Sequence, residues 1–120
     1  METPKIFESE YRFCQILWAV EPVGSTELVK LCREKLGWKK STTYTVIKRL
    51  SGRGVVKLED AVVTSLVSRE QVQRSESREV VDRAFGGSLP GFIAAFAGGK
   101  KLTKAEAEEI RRLIDQYEEE

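Results

Sequence analysis

The fold is decided by the stretch of residues 37–50, which reads GWKKSTTYTVIKRL. Its apolar residues Val46, Ile47 and Leu50 recur at three- and four-residue spacing, which predicts a helix that is capped by Ser41 and buries one face. The same helical spacing turns the polar residues of the stretch toward solvent or toward the flank of the helix. These polar residues are Thr42, Tyr44, Thr45, Lys48 and Arg49.

Two helices are predicted before this stretch and a β-hairpin after it. The helices cover residues 8–20 and 25–36, where apolar residues recur at helical spacing, and Gly37 ends the second helix. Their predicted caps are Ser9 and Ser25. Two runs rich in β-branched residues, 55–58 and 62–67, are joined by a short polar turn. Three helices followed by a hairpin is the order of a winged helix-turn-helix, so we predict a mainly α fold with a small β-hairpin.

A helical tail is predicted after the hairpin. Capping boxes at Ser68 and Thr103 open two helices, and a short apolar helix over residues 89–97 lies between them. The apolar stripes of this tail have too little mass to enclose a core, so pairing with a second copy of the chain is the economical way to cover them. We therefore divide the chain into a winged-helix DNA-binding domain (1–73) and a helical dimerisation tail (74–120). The predicted dimer contacts are Val80, Phe85, Phe92, Phe96, Ile110, Leu113, Ile114 and Tyr117.

The composition excludes most kinds of catalytic and metal site. The 120 residues are 41% hydrophobic and 32% charged, which is typical of a globular protein. Because the chain has no histidine, histidine-based acid–base catalysis and most zinc sites are excluded. Cys14 and Cys32 are too few for a disulfide framework or a thiolate metal cage, and both fall on apolar stripes. We expect no enzymatic activity, no cofactor and no metal site.

The sequence also predicts a cytoplasmic location without membrane insertion. Residues 1–5, METPK, lack the basic and apolar regions of a signal peptide. The longest stretch without charge, residues 84–99, is interrupted by Pro90 and several glycines. It is also shorter than the roughly 18–20 apolar residues that a membrane helix needs.

Positive charge is concentrated around the third predicted helix. Residues 30–57 carry nine basic residues and one acidic residue, whereas residues 74–120 carry eight basic and ten acidic residues. A local positive field inside a near-neutral chain is typical of a site that binds an anion. The alternative is that this segment forms a solvated basic surface with no ligand.

We interpret the exposed face of the third helix as a reader of the DNA major groove. Threonine methyl groups there contact thymine methyls, hydroxyls hydrogen-bond to base edges, and Lys48 or Arg49 reaches guanine or phosphate. Lys39 and Lys40, together with the amides at the helix start, approach the backbone phosphates. The alternative function, from a different class, is a winged-helix module that binds a protein partner without sequence-specific DNA binding.

Several of these motifs resemble the penicillinase-repressor family of winged-helix transcriptional repressors. They are Trp18, the stretch 37–50, Gly54 and the tail from Gly86-Gly87-Ser88 through Phe96 to Leu102-Thr103. The resemblance covers about residues 8–115. It implies a homodimer that binds a palindromic double-stranded DNA operator and blocks transcription of genes for antibiotic (β-lactam) resistance or for a related stress response.

The resemblance also assigns roles to particular residues. It implies that bases are read by Ser41, Thr42, Tyr44 and Thr45, that Lys48 and Arg49 flank the groove, and that Lys57 on the hairpin wing touches phosphate. Family members are inactivated by proteolysis through a membrane sensor-protease system, and the matching bond here lies between Ala95 and Phe96. Copper-responsive relatives carry paired cysteines near the C-terminus, whereas this chain has no cysteine after Cys32, so metal sensing is not implied.

Overall fold

The computed structural model describes residues 3–119, and Met1, Glu2 and Glu120 lie outside that range. It confirms the predicted fold class, because the chain is mainly helical with one small antiparallel sheet. The elements are α1 (Glu8–Val20), β1 (Val23–Gly24), α2 (Ser25–Leu36), α3 (Lys40–Gly52), β2 (Val56–Glu59), β3 (Val62–Ser65), α4 (Arg69–Phe85), α5 (Leu89–Gly99) and α6 (Lys104–Tyr117). The chain divides into two compact units, one that ends at Ser77 and one that begins at Arg78, both inside the span of α4. The division at residues 73/74, which separates the predicted functions, stays a prediction.

The first unit contains the hydrophobic core. The apolar faces of α1, α2 and α3 pack with the sheet, and Phe13, Leu17, Leu28, Ile47 and Leu50 are almost completely buried. The predicted inward face of α3 is confirmed, since Val46, Ile47 and Leu50 all belong to this core. The end of α2 is also as predicted: Gly37 adopts a left-handed conformation with φ of 69°, which glycine does at little cost.

The predicted serine caps are each wrong by one or two positions. Ser9, Ser25 and Ser41 lie in the first turns of their helices, while the N-caps are Phe7, Gly24 and Lys39. In α1 the Glu10 carboxylate accepts a hydrogen bond of 2.9 Å from the Phe7 amide, which performs part of the capping. A serine cap contributes only about 1 kcal/mol, and in α1 this hydrogen bond between residues three apart takes the place of a cap by Ser9.

The sheet has the strand order β1-β3-β2, with all pairs antiparallel. Leu58 and Val23 lie on either side of Val63 in register. The hairpin turn consists of Asp60 and Ala61, both with positive φ (52° and 62°), which is the conformation of a type I′ turn. The strand β1 was not predicted from the sequence, because two residues are too few to show the alternation typical of a strand.

The side chains of Trp18 and Glu21, at the C-terminal end of α1, hold β3 and the segment between β3 and α4 in place. The Trp18 Nε1–H donates a hydrogen bond of 3.0 Å to the Val67 carbonyl. The Glu21 carboxylate accepts from the Ser65 amide at 2.7 Å and from its hydroxyl at 2.8 Å. These contacts fix the position of the wing, residues 56–65, within the first unit.

The second unit is helical and has no enclosed core. None of the residues described from 78 to 119 is buried. Its helix starts are well capped: the Ser88 hydroxyl accepts from the Gly91 amide at 3.0 Å, and Thr103 and Glu106 form the predicted capping box at 2.9 and 3.0 Å. The local structure is therefore specified by the chain itself, but the apolar surface is left uncovered.

Candidate nucleic-acid interface

One face of α3 carries an exposed row of polar and basic side chains. Burial of Val46, Ile47 and Leu50 on the other face orients this row toward solvent. The exposed residues that were predicted at this site are Lys39, Lys40, Ser41, Thr42, Thr45, Lys48 and Arg49. A shallow concavity of about 340 Å³ runs along the same face and is lined in part by Ser9 from α1. An open, shallow surface of this kind suits a macromolecule better than a small ligand.

The hydroxyl groups on α3 are partly used within the helix. The Thr45 hydroxyl donates a hydrogen bond of 2.9 Å to the Ser41 carbonyl, which fixes its rotamer and leaves its methyl group and lone pairs exposed. Thr43, by contrast, is completely buried and belongs to the core. The structure thus separates the exposed threonines, Thr42 and Thr45, from the structural one.

The start of α3 differs from the starts of several other helices in the chain. It has no side-chain cap and no acidic residue in its first turn, whereas α1, α4 and α6 each begin with an acidic or capping-box contact. Within residues 3–119, no side chain caps its first amides, and Lys39 and Lys40 are exposed beside them. Helix N-termini with free amides favour a bound anion.

Tyr44 does not join the exposed row. It is half-buried, packs against the core and donates a hydrogen bond of 3.1 Å from its hydroxyl to the Ser25 hydroxyl. This contact joins α3 to the start of α2. The role of Tyr44 in reading bases stays a prediction, while its structural contact between the two helices is observed.

Lys57 on the wing has a partner of its own. Its Nζ lies 2.7 Å from the Glu59 carboxylate, and both side chains are more than half exposed. Since Asp60 follows in the turn, the tip of the wing carries more negative than positive charge. A phosphate contact by Lys57 would have to replace this ion pair.

A buried acidic residue beneath α3 was not among the residues predicted from the sequence. Glu10 is fully buried in α1, and its Oε2 lies 3.6 Å from the Arg49 Nη1 and in direct contact with the Arg53 Nη2. The signal was present in the sequence, because Glu10 lies three residues before Phe13 and seven before Leu17 on the buried stripe of α1. An acidic residue on such a stripe needs a buried cation.

The comparison with protein families decides the assignment. The penicillinase repressor family model matches residues 6–116, which include α3, the wing and most of the tail. The chain belongs to the penicillinase repressor family. It is therefore placed among transcriptional repressors, as the resemblance of its motifs implied.

Individual relatives are distant but cover nearly the whole repressor. The chain is 20% identical to the methicillin resistance regulatory protein MecI of Mammaliicoccus sciuri, over 95% of this chain and 96% of the relative. It is 20% identical to the penicillinase repressor of Staphylococcus aureus, over 92% of this chain and 91% of the relative. An uncharacterised 16.5 kDa protein of Latilactobacillus sakei is 24% identical, over 93% and 80%.

The residues predicted in the tail lie on exposed or half-buried surface. In α5, Ala95 and Phe96 are both exposed, and no residue of that helix is buried. Phe85 and Phe92 contact each other with ring centroids 5.4 Å apart, and Phe96 follows at 6.4 Å from Phe92. On α6, Ile110 is half-buried, and three further members of the stripe are exposed: Leu113, Ile114 and Tyr117.

The cysteines of the repressor are unsuited to metal binding or redox chemistry. Both are completely buried, and burial raises the pKa of Cys14 to about 12 and raises that of Cys32 as well. Within residues 3–119, no three His, Cys, Asp or Glu side chains are grouped so that they could hold a metal ion. No helix in that range is both long and apolar enough to cross a membrane.

The ion pair at Glu10 leads to a prediction about acid stability. Burial alone raises the pKa of Glu10, but the hydrogen bond from Arg53, the Phe7 amide and the charges of both arginines outweigh it, so the pKa lies below its ordinary value of 4.5. A carboxylate whose pKa is lower in the folded chain stabilises fully above the unfolded pKa and loses this effect as pH falls through the folded pKa.

We therefore expect Glu10→Gln to reduce the free energy of unfolding in urea by roughly 2–4 kcal/mol at pH 7. The difference between the variant and the wild type should shrink as the pH falls below about 4.5. Glu8→Gln is the matched control, because Glu8 pairs with Arg12 on the same helix but is 86% exposed. A difference that stays constant from pH 7 to pH 3 would contradict the assignment.

Proposed function

We propose that this repressor binds a palindromic DNA operator as a homodimer and controls β-lactam resistance or a related stress response from the cytoplasm. We further propose that a membrane sensor-protease system inactivates it by cleavage between Ala95 and Phe96. The exposed polar and basic face of α3 is the observation that carries the proposal. The names of the relatives from Mammaliicoccus sciuri and Staphylococcus aureus support the connection to resistance.

In the proposed complex, α3 lies in the major groove. Ser41, Thr42 and Thr45 present hydroxyls and methyl groups to base edges, where such groups discriminate among base pairs. Lys39, Lys40 and the uncapped amides of the first turn bind the phosphate that flanks the groove. Lys48 and Arg49 extend the positive charge along the same face. The wing contributes little attraction, because Lys57 is paired with Glu59.

The homodimer is supported by the uncovered second unit. Since no residue described from 78 to 119 is buried, the apolar stripe on α6 and the aromatic residues of α4 and α5 need a partner surface. A second copy supplies the same stripe around a two-fold axis. Two linked copies of α3 then match two half-sites of an inverted repeat.

Selection from a randomised duplex library with the full chain tests the proposal. We expect an inverted repeat whose half-site centres are about 10 base pairs or a multiple of that apart. Gel shifts should weaken steeply with salt, with a slope near −0.9 for each phosphate neutralised. Absence of a shift on any duplex at any salt concentration would favour the protein-interaction module instead.

Two substitutions on α3 should separate base contacts from phosphate contacts. Thr45→Ala should weaken binding to the selected operator by about 1–3 kcal/mol and leave binding to random duplex almost unchanged. Lys40→Ala should weaken binding to both duplexes about equally and reduce the salt slope by roughly one unit. Fluorescence anisotropy titrations at several salt concentrations measure both effects.

Lys35→Ala is the matched control for charge, because Lys35 is exposed on α2 beside Arg12 and Gln15 and away from the α3 concavity. Lys35→Ala should leave the affinities for the selected operator and for random duplex unchanged, apart from a small long-range electrostatic effect. If Thr45→Ala leaves operator affinity unchanged, α3 is not the base-reading helix.

A further inference from the structure

A buried negative charge lies beneath the C-terminal half of α3. The Glu10 side chain is only 1% exposed, and its two oxygens have different partners. Oε1 accepts a hydrogen bond of 2.9 Å from the Phe7 amide, while Oε2 faces the guanidinium groups of Arg49 and Arg53. One carboxylate oxygen is thus shared by two arginines that lie one helical turn apart.

The two arginines are not equivalent. Arg53 is in direct contact with the Glu10 Oε2, is 29% exposed, and places its guanidinium 5.3 Å from the centre of the Phe7 ring. Arg49 lies at 3.6 Å from the same oxygen, is 56% exposed, and lines the concavity beside Thr42 and Thr45. Arg53 therefore belongs to the buried pair, whereas Arg49 is shared between that pair and the exposed face.

We propose that Glu10 is a positioning residue that restrains Arg49 and thereby lowers the affinity of α3 for DNA. Arg53 stays paired with Glu10, so Arg49 can dissociate from the carboxylate. This inference rests on the proposed function, because it concerns the same face of α3. When a phosphate approaches, Arg49 exchanges the Glu10 oxygen for the phosphate oxygen. The contact with Arg53 keeps the buried carboxylate paired during this exchange, which avoids leaving an unpaired charge in the interior.

The proposal predicts that one variant binds DNA more tightly although it is less stable. Glu10→Gln in the full chain removes the charge that holds Arg49, so we expect the Kd for a mixed-sequence 30-base-pair duplex to fall by about two- to five-fold, the range that corresponds to an exposed ion pair. A purely structural role of Glu10 predicts no gain in affinity. Glu8→Gln removes the same charge from the same helix and controls for long-range attraction, since Glu8 pairs with Arg12 and not with α3.

A second variant should have the opposite effect. Arg53→Gln leaves Arg49 as the cation for Glu10, so we expect the Kd to rise two- to five-fold beyond the rise caused by Arg12→Gln, which removes one arginine from an exposed pair. Circular dichroism and urea titration establish that each variant is folded under the assay conditions. If Glu10→Gln is unfolded at 25 °C, the Kd of Arg53→Gln relative to that of Arg12→Gln tests the proposal by itself.

Both effects should depend on Arg49. In an Arg49→Ala background, Glu10→Gln and Arg53→Gln should each change the Kd no more than their matched controls do. The proposed restraint of Arg49 by Glu10 would be refuted if the changes in Kd persist in the Arg49→Ala background. It would also be refuted if Glu10→Gln is folded and binds the duplex no tighter than Glu8→Gln does. A wild-type chain that fails to bind any duplex would instead refute the proposed function itself, so the two failures are distinguishable.

Discussion

A chain that ends at Ala95 is expected to bind its operator about 10²–10⁴-fold more weakly than the full chain, while its winged-helix unit stays folded. The truncation removes Phe96 and all of α6, which carries most of the apolar stripe of the tail. The hydrophobic core lies entirely at or before Val72, so it is untouched by the cut. Two linked readers gain affinity because the second half-site binds at high effective concentration, and the cut abolishes that gain.

The measurement is an operator titration of the truncated and full chains, with circular dichroism to establish folding. As a control, fusing an unrelated dimeric coiled coil after Ala95 should restore most of the lost affinity, because only the linkage of the two readers is replaced. Unchanged operator affinity for the folded, truncated chain would mean that the tail is not the switch.

The proposed cleavage between Ala95 and Phe96 requires that a protease can reach this bond. The helix α5 has no buried residue, and the Gly98-Gly99 pair at its end has low helix propensity. A protease needs an extended substrate, so α5 must unwind locally, and the sparse packing keeps the free energy of that opening small. The exposed Phe96 side chain, next to the predicted bond, is available for recognition.

A second large effect is expected from Leu113→Asp or Ile110→Asp. Either change places a charge on the apolar stripe of α6, and burial of that charge in the dimer should cost several kcal/mol, about a 10²–10³-fold rise in the dimer Kd. Sedimentation velocity at micromolar concentration should show a monomer. Ala105→Asp on the opposite, exposed side of α6 is the matched control and should leave the dimer intact. A stripe variant that stays fully dimeric would contradict the assignment.

The elements of the fold could be predicted from the sequence because their signals are local. Periodic apolar residues and the capping boxes at Ser68 and Thr103 place the helices within a few residues of their observed ends. The strand β1 could not be predicted in this way, because Val23 and Gly24 become a strand only by pairing with β3. The prediction of Ser25 as a helix cap was wrong for a similar reason. Its hydroxyl accepts a hydrogen bond from Tyr44 on another helix, and such a tertiary contact has no local sequence signal.

The sequence predicts which side chains of the candidate site are exposed on α3, but it does not predict which ion pairs they form. The exposed face of α3 follows from its buried face, so Thr42, Thr45 and Lys48 lie where expected. The approach of Arg49 to Glu10 joins residues 39 positions apart, and no local pattern contains it. The Lys57–Glu59 pair was accessible in principle, since residues two apart on a strand share a face.

The lack of an enclosed core in the second unit has a consequence for how operator occupancy depends on the concentration of the chain. If the apolar stripes of the tail are covered only by a second copy, the folded tail and the dimer form together, and the stability of both depends on protomer concentration. Occupancy of a palindromic operator then scales with the second power of the chain concentration while monomers predominate. A modest fall in intact chain, by cleavage or dilution at cell division, therefore relieves repression more sharply than it would for a repressor that binds as a monomer.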